Sequence, residues 1–278
     1  MKKDWIHFVL FILTIGTTSL AGAMLSGEEP SMSIGFLLKG LPFSASLLGI
    51  LGVHELGHYF ASRYHGVDAT LPFFIPFPTI IGTFGAFIKI KSAIPDRRSL
   101  FDIGFAGPLF GFIVAIPLLF VGIALSEVRQ GVEIAPVGHF SLGSSILVWL
   151  AERIIHGGLP ETAQLIIHPV GFAAWIGLWV TSINLLPIGQ LDGGHIAYAV
   201  LGPKAYLLAR WTWIALLPLA WLWPGWLVWA IVVLFLIKLR HPPTVFDWIP
   251  LDVRRRRLAL LALAIFILTF IPKPFGGF

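Results

Sequence analysis

Apolar residues run through this chain in blocks of about 20, the length that crosses a bilayer as a helix. Short polar or basic breaks separate the blocks, and they recur from one end of the sequence to the other. Taken in order they predict spans near 5–25, 43–64, 101–125, 170–188, 206–223, 225–239 and 258–271. The expected fold class is therefore an all-α polytopic membrane protein with about six to seven transmembrane helices. The first block carries a basic start and small residues at Ala21 and Ala23, as a cleaved signal peptide would. Its length and the further apolar blocks behind it favour a retained anchor.

Two stretches break the pattern. Leu71 to Lys91 contains Pro72, Pro76 and Pro78, glycines at 82 and 85, and an alternating end. This is strand and turn chemistry. It predicts a re-entrant β-hairpin-like segment covering a cavity, because irregular backbone at membrane depth needs protein or water to satisfy it. An interfacial loop is the alternative. The second stretch, 126–169, reads as an external loop without an interpretable motif.

Composition sharpens the membrane reading. The chain of 278 residues is 57% hydrophobic and 12% charged, against roughly 25% charged in a soluble domain. The net charge of +5 does not point to nucleic acid, because the basic residues form short clusters between apolar blocks. If Lys2 and Lys3 are cytoplasmic, the predicted crossings bring Lys89, Lys91, Arg97, Arg98, Lys204, Arg210, Lys238, Arg240 and Arg254 to Arg257 to the same side. The opposite side then receives Glu28, Glu29, Glu127, Glu133, Glu152 and Glu161, with Lys39, Arg129, Arg153 and Lys273 as its basic residues. One topology satisfies the positive-inside rule throughout. The expectation is a multi-pass integral protein of the cell (inner) membrane with a cytoplasmic N-terminus. No linker or repeat divides the chain, so 1–278 is expected to be a single membrane-embedded domain. Its catalytic core is about 43–195, its C-terminal helices about 206–271, and it holds no PDZ or other soluble domain. The 126–169 loop is about half the length a PDZ module needs.

With no cysteine in the sequence, a metal would be held by His, Asp or Glu. The chemistry concentrates in LLGILGVHELGHYFASRYHG. His54 and His58 are one helical turn apart, so both imidazoles leave one face and can share a tetrahedral metal. Glu55, offset around the helix, can serve a metal-bound water as general base. Burying these three groups in an apolar span is costly unless they are paired or metal-bound; polar packing between helices is the plainer reading. Soluble zinc-protease patterns for a third ligand fail: Ala61 and Tyr64 stand where Gly and His are wanted, His65 is one place late, and the next Glu is Glu127. The remaining intramembrane candidate is Asp192 in NLLPIGQLDGGHI, where Gly193 and Gly194 permit close backbone approach. Asp before Gly is also a common helix cap or turn.

These two motifs together resemble the site-2 proteases, intramembrane zinc metalloproteases of the HExxH type. The family's second motif, Asn-x-x-Pro followed by Asp-Gly, is matched by Asn184, Pro187, Asp192 and Gly193. AGPLFGF, 106–112, is similar to the family's small-residue third core helix, and Gly107 and Gly111 at four-residue spacing permit close helix contact. The resemblance implies one catalytic zinc ion held by His54, His58 and Asp192, with Glu55 as catalytic base. It also implies that Asn184 contacts substrate or stabilises the oxyanion; an interhelical hydrogen bond is the other role open to Asn184. The implied activity is hydrolysis of peptide bonds in or near transmembrane segments of membrane protein substrates, with the lipid bilayer and a transmembrane protein as partners and no nucleic acid. The oligomeric state is not encoded in any recognisable way.

Helical peptide bonds resist attack, so a substrate must unwind, and Thr83 to Lys91 could pair with the extended segment as an added strand. His54, about nine residues from Arg63, would lie roughly 13 Å inside the boundary, which calls for a polar channel. His65 and His195 read as hydrogen-bonding residues rather than ligands, since three protein ligands leave the open position that catalysis requires. Trp211, Trp213, Trp221, Trp223, Trp226 and Trp229 read as interfacial anchors, and HPPT at 241–244 as a helix stop. A divalent-metal transporter using the same His and Asp residues, or a catalytically silent binder of membrane segments, are the competing readings. A transit site needs no Glu55.

Overall fold

The computed structural model describes residues 4–25, 33–130, 141–158 and 163–276. Lys2, Lys3, Glu28, Glu29, Glu133 and Glu161, invoked above for topology, lie outside the described residues. Helix α1 (Asp4–Leu25) and a short α2 (Ile34–Lys39) lead into α3 (Leu41–Tyr64), which starts with Pro42 in its first turn. The hairpin β1 (Phe73–Pro76) and β2 (Thr83–Phe87) precedes the long α4 (Arg97–Ala124), whose first amides are capped by Asp96. Strand β3 (Glu127–Gln130), strand β4 (Ser141–Leu142), helix α5 (Ile146–His156) and strand β5 (Ala163–Ile166) follow. Then come α6 (Pro169–Asn184), α7 (Asp192–Leu201), α8 (Ala205–Leu219) and α9 (Gly225–Val232), which runs on as a π turn, Val233–Ile237. Helix α10 (Val253–Thr269) and β6 (Phe275–Gly276) close the described chain.

The central bundle is α3, α4 and α6. Phe43, Leu47 and Ile50 of α3, Ala115, Leu119 and Ile123 of α4, and Ala173, Trp175 and Leu178 of α6 are almost wholly buried in one core. A second apolar cluster joins Leu100, Phe101 and Phe105 of α4 to Ile196 and Ala199 of α7 and Ile265 of α10. Among the described residues two helices, Trp5–Leu25 and Arg97–Ala124, are long and apolar enough to cross a membrane. That is fewer than the six to seven crossings expected. The reason is physical: α6, α8 and α10 have 16, 15 and 17 residues, short of about 20, and α3 carries His54, Glu55 and His58 in an otherwise apolar run. The block read as 170–188 ends at Asn184, because Pro187 cannot continue the ladder and 185–191 turns instead.

Residues 71–91 do form a hairpin, with Phe73 opposite Phe87 and Phe74 opposite Ala86 in antiparallel register. Its turn is seated on α1: Gly82 has φ +80, and a Cβ there would meet the Thr17 backbone. The 126–169 stretch departs from a plain loop. β3 pairs with β5, β4 pairs with the distant β6, and α5 buries Leu147, Val148 and Ala151 while exposing Ile146, Trp149 and Ile154. The tryptophans also divide. Trp211 and Trp221 are exposed, but Trp226 is fully buried and donates to the Pro272 carbonyl at 2.7 Å, and Trp213 donates to Ala230 at 2.9 Å.

Several ionic contacts tie α4 to α10 and to the segment before it. Arg255 of α10 pairs with Asp102 of α4 through Nε–Oδ1 at 2.8 Å and Nη2–Oδ2 at 2.5 Å, and His65 meets the same carboxylate at 2.8 Å. Arg97 grips Asp247 with two hydrogen bonds, at 3.3 and 2.8 Å, and holds that carboxyl down at about 2.

A candidate zinc centre between the HELGH helix and the Asp192 turn

Helix α3 carries His54, Glu55 and His58 at exposures of 4%, 8% and 7%, so none of them faces open solvent. The opposing wall is α4, and it is cut away by glycine where the imidazoles lie. A Cβ at Gly107 would occupy the His58 ring, and one at Gly111 would crowd His54 Cβ and Nδ1 at 3.1 Å. The close helix contact expected from these two glycines is thus made against the histidines themselves. Gly104, one turn earlier on the same face, meets α7 instead: a Cβ there would sit 2.6 Å from His195 Cβ.

The third group arrives from the turn that ends α6. Leu185 N–H bonds back to Thr181 O at 3.0 Å, Pro187 breaks the helix, and the chain restarts as α7 with Asp192 as its first residue. A carboxylate at a helix N-terminus faces the positive end of the backbone dipole. Gly193 and Gly194 let α7 fold tightly on that turn, since a Cβ on either would strike the carbonyls of Leu185 and Gly189.

The three side chains converge. His54 Nε2 is 3.3 Å from Asp192 Oδ2, His58 Nε2 is 3.3 Å from Asp192 Oδ1, and the two Nε2 atoms are 3.1 Å apart. One ligand atom from each lies within 4.8 Å of the others. His58 Nδ1 is 2.7 Å from the carbonyl of Ile103. A carbonyl accepts only, so Nδ1 carries the proton, which leaves Nε2 as the ring nitrogen available to a metal. Among the described residues the ion-pair partners of Asp192 are these two imidazoles, with no Arg or Lys. Nitrogen lone pairs and a carboxylate gathered without a cation repel one another, and two imidazoles with one carboxylate are the donor set of a catalytic zinc site with a fourth position open. The residues fit zinc.

Glu55 stands beside this set without belonging to it. The backbone amide of Ile88, just after β2, lies near its carboxyl, so the hairpin approaches the centre. Asn184 is the last residue of α6, half-buried, and no hydrogen bond to its side chain is present among the described residues; the interhelical bond considered for it is not formed. His65 turns away into the Asp102 network, and His195 Nδ1 contacts His241 Nε2 at 2.7 Å.

Residues 42–205 match the model of peptidase family M50. The chain belongs to that family. This is the site-2 protease family that the two motifs resemble. Among curated proteins, a rice (Oryza sativa subsp. japonica) protein named "Probable zinc metalloprotease EGY1, chloroplastic" is 34% identical over 89% of this chain and 43% of its own length. The Arabidopsis thaliana protein of the same name is 32% identical over 96% of this chain and 53% of its own. "Probable zinc metalloprotease EGY2, chloroplastic" from Arabidopsis thaliana is 30% identical over 97% and 47%. The chain spans about half the length of these M50 relatives.

Sequence reasoning missed two parts of the M50 centre. The Ile103 carbonyl left no trace, because a backbone acceptor has no sequence signature. Gly104 could have been found by extending AGPLFGF backward, where Gly104, Gly107 and Gly111 fall on one helical face.

Proposed function

We propose that this chain is a membrane-embedded zinc metalloprotease that hydrolyses peptide bonds in or beside transmembrane segments of other membrane proteins. The observation that carries the reading is the convergence of His54, His58 and Asp192, with Glu55 adjacent, inside an apolar bundle. In it, His54, His58 and Asp192 hold the metal. Bound zinc supplies Lewis acidity toward the scissile carbonyl and lowers the pKa of a coordinated water. Glu55 accepts the proton of the attacking water and passes it to the leaving amine. Asn184, with no hydrogen bond holding its side chain among the described residues, donates its amide to the carbonyl oxygen as charge develops there. Asp192 keeps the ligand set at one negative charge, so the centre stays net positive toward that oxygen.

The hairpin aligns the substrate. β2 pairs with β1 along one edge, and Ile88 just beyond its end lies near Glu55, so an unwound segment added to the other edge would run past the catalytic base. Phe87→Pro removes a donor from β2 and should slow cleavage of every substrate; undiminished cleavage overturns this role.

The helices are proposed to form one bundle in the bilayer, with the end holding Arg63, Arg97, Arg98 and Arg254 to Arg257 at one interface. A cell (inner) membrane location with a cytoplasmic N-terminus rests on that distribution of basic residues; the relatives are named as chloroplastic proteins. The test is cleavage of single-span substrates in detergent by wild type and Glu55→Gln. Wild type should cleave and a chelator should abolish it, while Glu55→Gln keeps its zinc and loses about 10²–10⁴-fold in rate. Equal rates, or inactivity of both with zinc bound, would remove the protease reading and favour transport or passive binding.

A further inference from the structure

Beyond the family match, which ends at residue 205, the chain returns to the metal centre. The π turn stops at Lys238, whose φ of +63 is the one positive value at a non-glycine among the described residues. Such a conformation is costly for a residue with a Cβ and persists where the surroundings enforce it. Here the Lys238 carbonyl packs on Gly189 of the turn before Asp192, where a Cβ would collide with it. The strained residue sends the following segment across α7.

That segment is fastened at both ends. Val245 N–H donates to Ile94 O at 3.1 Å and Phe246 N–H to Pro95 O at 2.7 Å, just ahead of α4. Asp247 accepts from Arg97, from Thr244 Oγ1 at 3.1 Å and from Tyr198 Oη of α7 at 3.2 Å. His241 stacks on the Tyr198 ring with centroids 4.6 Å apart and meets His195 Nδ1 at 2.7 Å. Pro242 and Pro243 limit the backbone between these anchors.

The hydrogen-bond order follows from the acceptors. His241 Nδ1 is 2.5 Å from the Pro242 carbonyl, so it bears the proton and Nε2 is left as an acceptor. His195 Nδ1–H therefore donates to His241 Nε2. His195 is one turn along from Asp192 on a helix of ten residues with no side-chain N-cap, and its Cβ faces Gly104 of α4. A helix that short has little stiffness of its own beyond its contacts.

We propose that His241 is a positioning residue for the metal centre: by holding His195 it fixes α7, and with it Asp192, in register with His54 and His58. HPPT is then the clasp of the third ligand rather than a helix stop. The inference rests on the metal reading above, and the experiment separates the two. Cobalt(II) is loaded in place of zinc into the full chain, and affinity and visible spectrum are measured for wild type, His241→Ala and His241→Gln, with thermal stability alongside. Wild type should give a tetrahedral cobalt spectrum. His241→Ala should bind about tenfold more weakly, the lower end of the loss seen when a group supporting a ligand is removed, with a shifted spectrum. His241→Gln, whose amide oxygen can accept from His195, should recover most of both. A wild type that binds no cobalt removes the metal reading and this inference together. A wild-type spectrum and affinity in His241→Ala, or loss of stability alone with an unchanged spectrum, overturns the clasp and leaves the metal reading standing.

Discussion

Two histidine–aspartate clusters, one at His58 inside α3 and one at His65 just past its end, lie about 10 Å apart along the helix axis, and they are satisfied in opposite ways. At His65, the Asp102 carboxylate is filled: Arg255 holds both oxygens, the imidazole meets one of them at 2.8 Å, and Arg255 is shared with Asp252. Every charge has a counter-charge from the chain itself. At His58, the Asp192 carboxylate sees two imidazole nitrogens at 3.3 Å and no guanidinium or ammonium among the described residues. His58 has spent its proton on Ile103. The first cluster is closed by an arginine; among the described residues the second has no such fixed cation where its ring nitrogens and carboxylate converge. That lack, rather than the presence of His and Asp near each other, is what marks a metal site.

The comparison can be broken most severely at Gly107. Gly107→Val drives a side chain into the space of the His58 ring, so metal affinity should fall by at least about tenfold and cleavage with it, while the His65 cluster is undisturbed. Zinc titration against a competing chelator reads this directly. Undiminished affinity would mean that the glycine wall does not set the ligand.

Asp102→Ala should do the reverse. It leaves Arg255 with Asp252 alone and His65 with Ser99 alone at a half-buried helix end and should lower stability by about 1–3 kcal/mol, read as a shift in the thermal midpoint in detergent. Zinc per chain should stay at the wild-type value; loss of zinc would join the two clusters into one functional unit and erase the contrast.

How far these clusters could be read in the sequence differs for the same physical reason. His54, Glu55 and His58 are local: a spacing of four on a helix puts two imidazoles on one face whatever packs against it. Asp192 was reachable as the remaining intramembrane candidate, and its ligand role came from the resemblance of Asn184, Pro187, Asp192 and Gly193 to the family's second motif. The hairpin was legible from its prolines and Gly82, which exclude a helix. Nonlocal pairings were not. β4 finds its partner in β6, more than a hundred residues on, so 126–169 read as loop. Asp102 does not announce Arg255, and His241 means nothing until Lys238 turns the chain back over α7. The tryptophans of α8 and α9 read as interfacial anchors because the sequence does not show which indole N–H finds a buried carbonyl.

The contrast between the two clusters comes down to metal, and the direct measurement is zinc X-ray absorption with stoichiometry on purified wild type, His54→Ala and His65→Ala. One zinc per wild-type chain, with nitrogen and oxygen ligands near 2.0–2.2 Å as imidazole and carboxylate give, absent in His54→Ala and retained in His65→Ala, is the predicted result. A wild type without zinc, or zinc that survives in His54→Ala and disappears in His65→Ala, would contradict the account.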